Sequence, residues 1–584
     1  MSENVNDGEA AEVKELAATP PEAANELASK TVFDPEKQHE QPFDELAVTL
    51  SGGGYRAAAF HLGVLDVLNR VGLLQSVRVL STVSGGTFTG MKYALNLAQG
   101  QDFEKFFKDL RDFLAENNII GDALGGLQDK PDSPFAAQMP SLVRSAANVY
   151  ASDGMFGDAT FDIILDDKQS HLKEVSFNAT EFETANYFRF QRSKSAAADI
   201  GNGNLPINEP VARMMRLADI AAASSGFPGA FEPIRFPDDF VWKQKSLEEV
   251  RSALGKRFAT CVALMDGGIY DNQGVDSVIT NYHREGNKVG LVIISDTNQR
   301  TKPDAKGPRG RAAFYKFAPE KKHGHITLGA AFTLAWVVFL FSLVTALTLL
   351  VAGVRSFLDG GFRLRDIFLY GFPLLLAGFV VWALYKIRRA LKKVLESVAV
   401  STTIELWPYA KGLPIAQLFA LVKGRATSAL TLTTAIFMKR IRDLIYRDIK
   451  VYPKYKGRQF ENLIYDLDDN EKDATGKFKN KIVQTLDPTE DLRELAAKAE
   501  GVDTALWIKD RDDLDNLIAC GQATTCFNLM RYILDCRPTQ KNTAGSREAE
   551  IYARAEALWE DLKDDKYKLI KLRPTQEARP GQSA

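Results

Sequence analysis

Ser84 is the residue whose setting most suggests chemistry. It follows an apolar run from Val77 to Val83 and precedes Gly85 and Gly86, after which residues 87–95 have helical composition. A serine on a sharp turn between a strand and a helix has the layout of a nucleophile elbow. About thirty residues earlier, the apolar run Leu46 to Leu50 leads into Gly52, Gly53 and Gly54, then Arg56 and an alanine-rich helical stretch. Glycines at a helix start let a substrate oxygen approach free N–H groups and the positive end of the helix dipole, the arrangement that stabilises an oxyanion. A third apolar run from Cys261 ends in Asp266-Gly267-Gly268, a carboxylate at a strand end. None of the six histidines (His39, His61, His171, His283, His323, His325) has such a setting, so a Ser84/Asp266 dyad fits better than a Ser/His/Asp triad. For Asp266 to take the Ser84 proton it needs hydrogen-bond reach and a carboxyl pKa tuned by partial burial.

Each element has a blander reading. The glycine loop as a dinucleotide fingerprint lacks its third glycine, because Ala57 stands there, and no acidic ribose partner follows a second strand. A lone Asp-Gly-Gly is more often a turn than a base, and the other two motifs are what raise Asp266 above that.

In family order, the glycine loop with Arg56, the elbow Thr82-Val83-Ser84-Gly85-Gly86 and the Asp266-Gly267-Gly268 element resemble the patatin-like phospholipases. Phe177 to Thr184 and Leu217 to Pro233 are also similar to that family. The likeness covers roughly Glu45 to Thr297, and residues 506–532 more loosely. It implies Ser84 as acyl-accepting nucleophile, Asp266 as its base, and Gly52, Gly53, Gly54 and Arg56 as the oxyanion region. The departure is Thr82, where G-x-S-x-G has glycine; that position packs closely on the following helix, so a β-branched residue needs small neighbours there, Gly86 and Gly90 being the candidates. The implied fold is α/β, a mainly parallel central sheet flanked by helices, and the implied reaction is hydrolysis of phospholipid or lysophospholipid acyl esters without metal or organic cofactor. The rival reading is a catalytically inactive membrane lipid-binding or scaffold protein of the same fold, for which Thr82 speaks and the joint presence of Ser84 and Asp266 does not.

Composition bounds the rest. The 584 residues are 45% hydrophobic, enough for a large core, and a net charge of −2 gives no bias toward nucleic acid. Four cysteines match no zinc spacing. Residues 1–42 read as a disordered acidic tail without the pattern of a signal peptide, and 573–584 as a second disordered tail. The catalytic domain is expected over 43–320, completed by a helical part over 394–572. Between them, 326–354 and 367–385 contain no Asp, Glu, Lys or Arg, and each is long enough to cross a bilayer core of about 30 Å. The spacing predicts a transmembrane hairpin. Basic flanks (Arg309, Arg311, Lys316, Lys321 and Lys322 before it; Lys386, Arg388, Arg389, Lys392 and Lys393 after it) against a sparser connection at Arg355 to Asp366 place both termini and the catalytic domain in the cytoplasm. The segment Leu432 to Val451 reads equally as a helix on an anionic lipid surface or an amphipathic core helix. Asp466 to Glu471 imitates a calcium loop, but Glu471 and Lys477 occupy positions that need Gly and Glu. The acceptor triplet at Asn178 lies in the part placed in the cytosol, so no glycosylation follows. The oligomeric state leaves no mark in the sequence.

Overall fold

The computed structural model describes residues 41–127, 141–300 (except 168, 196 and 285–288), 327–360, 367–398, isolated positions between 414 and 431, and 432–573 (except 452–454, 456, 471 and 474). The tail over 1–40, the basic flank at 309–322, Arg363, Arg365 and residues 574–584 lie outside the described residues.

Strands β1 (Leu46–Leu50), β2 (Val77–Val83) and β3 (Glu174–Glu181) form the middle of a ten-stranded sheet with β9 (Leu291–Asp296) and β10 (Gln459–Leu463), in the order β10-β9-β1-β2-β3. All pairings within this block are parallel. Its inner strands read as near-continuous apolar runs because helices cover both faces. Beyond β3 the sheet turns antiparallel: β4 (Asn186–Arg192) returns through a short hairpin, followed by β5 (Ile200–Gly201) and β6 (Pro206–Ile207), while β7 (Ile234–Phe236) pairs with β8 (Val262–Asp266), which pairs with β3. The mainly parallel sheet is therefore a parallel centre with an antiparallel wing, and the wing delivers Asp266.

Register brings the three motifs to one level. Leu50 pairs with Thr82, Val83 with Asn178, and Ala179 with Asp266. The glycine loop leaving β1, the turn leaving β2 and the end of β8 thus converge around β3. Helix α1 (Gly54–Arg70) follows the loop and α2 (Gly85–Ala98) follows the turn. Helix α1 is buried from Gly54 through Leu68 because the sheet lies on one side and α8 (Arg511–Cys536) packs along the other. The sheet, α1, α2, α3 (Leu217–Ser225) and α8 share one continuous apolar core.

Two compact units partition the chain, residues 1–302 with 438–584, and residues 303–437. In the second, α5 (Leu328–Gly360) and α6 (Phe372–Val398) lie against each other, α6 preceded by a π-turn over Ile367–Gly371. Only α5, over Thr333–Gly360, is long and apolar enough among the described residues to cross a membrane, and its large apolar side chains are exposed. It differs from the expected first span in running six residues past Val354. Arg355 and Asp359 lie one turn apart on it, so the helix consumes half of the connection expected at Arg355 to Asp366. The apolar part of α6 is Phe372–Ala383, about 18 Å of helix and short of the bilayer core. The expected second span thus comprises the π-turn and the first part of α6, and no helix there is long and apolar enough by itself to cross a membrane.

Helix α7 (Met438–Val451) belongs to the first unit. Ile449 is buried with Ile445 and Tyr446 against strands β1 and β9, and Arg442 and the Tyr446 hydroxyl reach the buried Asp296 at the end of β9. Of the two readings of Leu432 to Val451, this part is an amphipathic core helix.

Candidate active site

Ser84 sits between β2 and α2 with φ 51° and ψ −118°, a left-handed backbone that a non-glycine residue adopts at a cost of about 1–3 kcal/mol. The turn is tight because Gly85 lies against the glycine loop: a Cβ there would stand 2.0 Å from the Gly54 carbonyl oxygen. The Ser84 side chain faces the Asp266 carboxyl and lowers its pKa, and the carboxylate accepts the Gly268 N–H at 2.7 Å. Burial pushes the Asp266 carboxyl up to about 6, and these two contacts hold it from rising further. The carboxylate is therefore ionised at neutral pH yet basic enough to accept a proton.

The residues of the glycine loop are not equivalent. Gly52 donates its N–H to the Asn272 carbonyl at 3.0 Å, and its own carbonyl accepts from Thr297 Oγ1 at 3.3 Å. Gly53 caps α1 with no side-chain partner, and among the described residues neither its N–H nor that of Gly54 has an acceptor. Tyr55, one residue on, donates to the Ala505 carbonyl at 2.8 Å. The two free donors thus stand at the positive end of a seventeen-residue helix, directly across from Gly85. Arg56 is turned away from them: it is buried, Nη1 donates to the Val502 carbonyl at 2.9 Å, and its charge faces Asp296 and Glu500. Its contribution to the loop is to tie α1 to the C-terminal segment.

His61, one to two turns along α1, is buried between Ser295 Oγ and the Ser51 carbonyl, 3.0 Å from each. Burial drives its pKa down to about 4, so the ring is neutral and braces the strand end beneath the loop. His171 pairs with the Tyr93 hydroxyl instead. Neither contacts Ser84 or Asp266.

Thr82 finds its room on Gly90: a Cβ on that glycine would meet Thr82 Cγ2 at 2.3 Å. Gly86, the other candidate neighbour, packs on the Leu50 carbonyl. The residues that sequence reasoning missed are Asn272, Asn178, Thr297, Ser224 and the segment Val502 to Ala505. All act through backbone or hydroxyl groups supplied from distant parts of the chain. Ser224 and Asn178 had a signal, their places in stretches similar to the family, and that signal named no role.

Residues 48–279 match the family model described as patatin-like phospholipase. The fold there is the patatin-like α/β arrangement, a central mostly parallel sheet flanked by helices. No curated protein matches the chain. Among solved structures, human GIVD cytosolic phospholipase A2 is 16% identical over 46% of this chain and 50% of that one, with a TM-score of 0.30. The same human protein in complex with methyl gamma-linolenyl fluorophosphonate and terbium chloride is 16% identical over 44% and 41%, with a TM-score of 0.27. VipD from Legionella pneumophila is 12% identical over 93% and 94%, with a TM-score of 0.25. The alignments span half or less of the human chains.

Proposed function

We propose that this protein is a membrane-associated serine hydrolase cleaving acyl esters of phospholipids or lysophospholipids through a Ser84/Asp266 dyad. The observation that carries the reading is Ser84, held on a left-handed turn with its side chain facing a buried carboxyl. In the first half-reaction Ser84 Oγ attacks the ester carbonyl as its proton passes to Asp266, and the Gly53 and Gly54 N–H groups receive the developing oxyanion. Asp266 then returns the proton to the leaving alcohol. In the second half, water gives a proton to Asp266, attacks the acyl-enzyme and releases the fatty acid, restoring Ser84. Gly52 supports the loop through its bond to Asn272 rather than serving the oxyanion. One oxyanion donor lost costs on the order of 3 kcal/mol of barrier.

The exposed apolar length of α5 supports attachment to a bilayer, with α6 as the return arm of the hairpin and the catalytic unit and both termini on the cytoplasmic side. A lipid-binding scaffold would have no use for a strained serine against a basic carboxylate. The test is incubation of purified protein with a panel of labelled phospholipids and lysophospholipids and with a fluorophosphonate, followed by mass spectrometry of Ser84. Hydrolysis and labelling that vanish in Ser84→Ala are the expected result; hydrolysis that persists in Ser84→Ala would remove the assignment.

A further inference from the structure

Ser224, in the last turn of helix α3, carries a fully buried hydroxyl that no step of the reaction uses. Its Oγ accepts the Ser84 backbone N–H at 3.1 Å, lies 2.7 Å from the Asn178 carbonyl oxygen, and is 2.8 Å from Thr87 Oγ1. A serine hydroxyl has one proton to give and two lone pairs to fill. The Asn178 carbonyl can only accept, so the Ser224 proton goes there. The Ser84 N–H takes one lone pair, and Thr87 must donate to the other. Thr87, its own proton committed, accepts from Thr82 Oγ1 at 3.0 Å, a shorter contact than the 3.4 Å from Thr82 to the Ser176 carbonyl. The polarity of the whole chain, Thr82 to Thr87 to Ser224 to Asn178, is thereby fixed. It also explains what the threonine at the usual glycine position supplies: a methyl accommodated by Gly90 and a hydroxyl that starts the chain.

Ser224 reaches the base as well. Its carbonyl accepts the Gly267 N–H at 3.2 Å, and the Gly226 carbonyl, two residues on, accepts the Asp266 N–H at 3.1 Å. One end of one helix therefore grips the backbone on both sides of the Ser84–Asp266 contact. The Ser84 amide is saturated by this grip and unavailable to an oxyanion.

We propose that Ser224 is a positioning residue: it fixes the Ser84 amide so that the turn keeps the nucleophilic hydroxyl against Asp266, and Thr87 and Thr82 orient the Ser224 hydroxyl for that bond. The proposal rests on the hydrolase reading, and its test separates the two. The rate constant for fluorophosphonate modification of Ser84 in the full-length protein is followed by intact mass, beside kcat and KM on a labelled acyl ester and the melting temperature. Ser224→Ala should slow modification and lower kcat by about tenfold or more, the equivalent of one lost hydrogen bond at the reacting centre, with KM little changed and the protein still folded. Thr87→Val should give a smaller loss of about two- to fivefold, because Ser224 keeps its other two partners. The double variant should be no slower than Ser224→Ala alone. Wild-type rates in Ser224→Ala, or losses that multiply in the double variant, overturn the proposal. If Ser224→Ala does not fold, wild-type rates in Thr87→Val overturn it instead. Wild-type protein that is not modified at Ser84 removes the hydrolase reading and this proposal together.

Discussion

Asp266 is the residue at which stability and activity oppose each other. Its carboxyl is raised from 3.8 to about 6 by burial, so the folded protein holds that proton more tightly than the unfolded chain does. Stability from this group is fully present below about pH 4 and declines as pH rises through about 6; at neutral pH the ionised form costs roughly 3 kcal/mol. Asp266→Asn should therefore abolish ester hydrolysis while raising the thermal midpoint at pH 7, an increase that shrinks when the melt is repeated at pH 4. An unchanged midpoint at pH 7 would mean that the carboxylate is not paying that cost. The same shift gives the rate profile: kcat/KM should fall as pH drops through about 6, because the base must be ionised to accept the Ser84 proton. A profile flat from pH 8 to pH 5 would exclude Asp266 as the base. At this scale the sequence was informative about types and silent about partners. Ser84, Asp266 and the glycines stood out because strand ends framed by glycine are rare. That Gly52 spends its N–H on Asn272 and Arg56 its side chain on Val502 depends on chain more than 200 and 400 residues away, respectively.

The elbow is the element where a local sequence departure proved to be matched. Thr82 and Gly90 are a complementary pair across β2 and α2, so Gly90→Ala forces a methyl to within 2.3 Å of Thr82 Cγ2. Overpacking of this kind costs about 1–3 kcal/mol, and here it also pushes α2 away from the strand that carries Ser84. Thr82→Ser removes that methyl and keeps the hydroxyl. Gly90→Ala alone should thus lower both melting temperature and kcat, and the Thr82→Ser/Gly90→Ala double variant should regain most of both. Additive losses in the double variant would show that the two side chains do not share that space. Strands β1, β2 and β8 were legible as apolar runs, whereas β5, β6 and β7 were not, since they are two or three residues long and carry no period, and β10 mixes polar with apolar residues. The second apolar run is a different case. An uncharged stretch has a length but does not reveal that its first turn is wound as a π-turn.

At the scale of the whole molecule, the catalytic unit is discontinuous: β10, α7 and α8 complete a sheet and a core begun more than 150 residues earlier, across an apolar unit. If α5 anchors the protein, it should sediment with membranes and resist carbonate extraction. Leu347→Asp with Leu350→Asp should release it, since each aspartate near a helix centre costs roughly 3 kcal/mol of insertion. Wild-type protein recovered in the carbonate supernatant would remove the anchor. With Gly360→Cys and Ser397→Cys, an impermeant thiol reagent should label the two from opposite sides of sealed vesicles, and labelling from the same side would remove the hairpin. The discontinuity also sets an order of synthesis. Ser84 and Asp266 emerge from the ribosome early, but the Ala505 carbonyl that fixes Tyr55 beside the free donors, and the Val502 carbonyl that fixes Arg56, come about 200 residues after Asp296. At about 5–20 residues per second that is about 10–40 s, during which the apolar helices are made first. Nascent chains stalled at residue 437 should accordingly leave Ser84 unreactive to a fluorophosphonate that modifies the finished protein, and labelling of the stalled chain would contradict this. The site around Ser84 is then completed by chain that is translated only after the long apolar helix has been made.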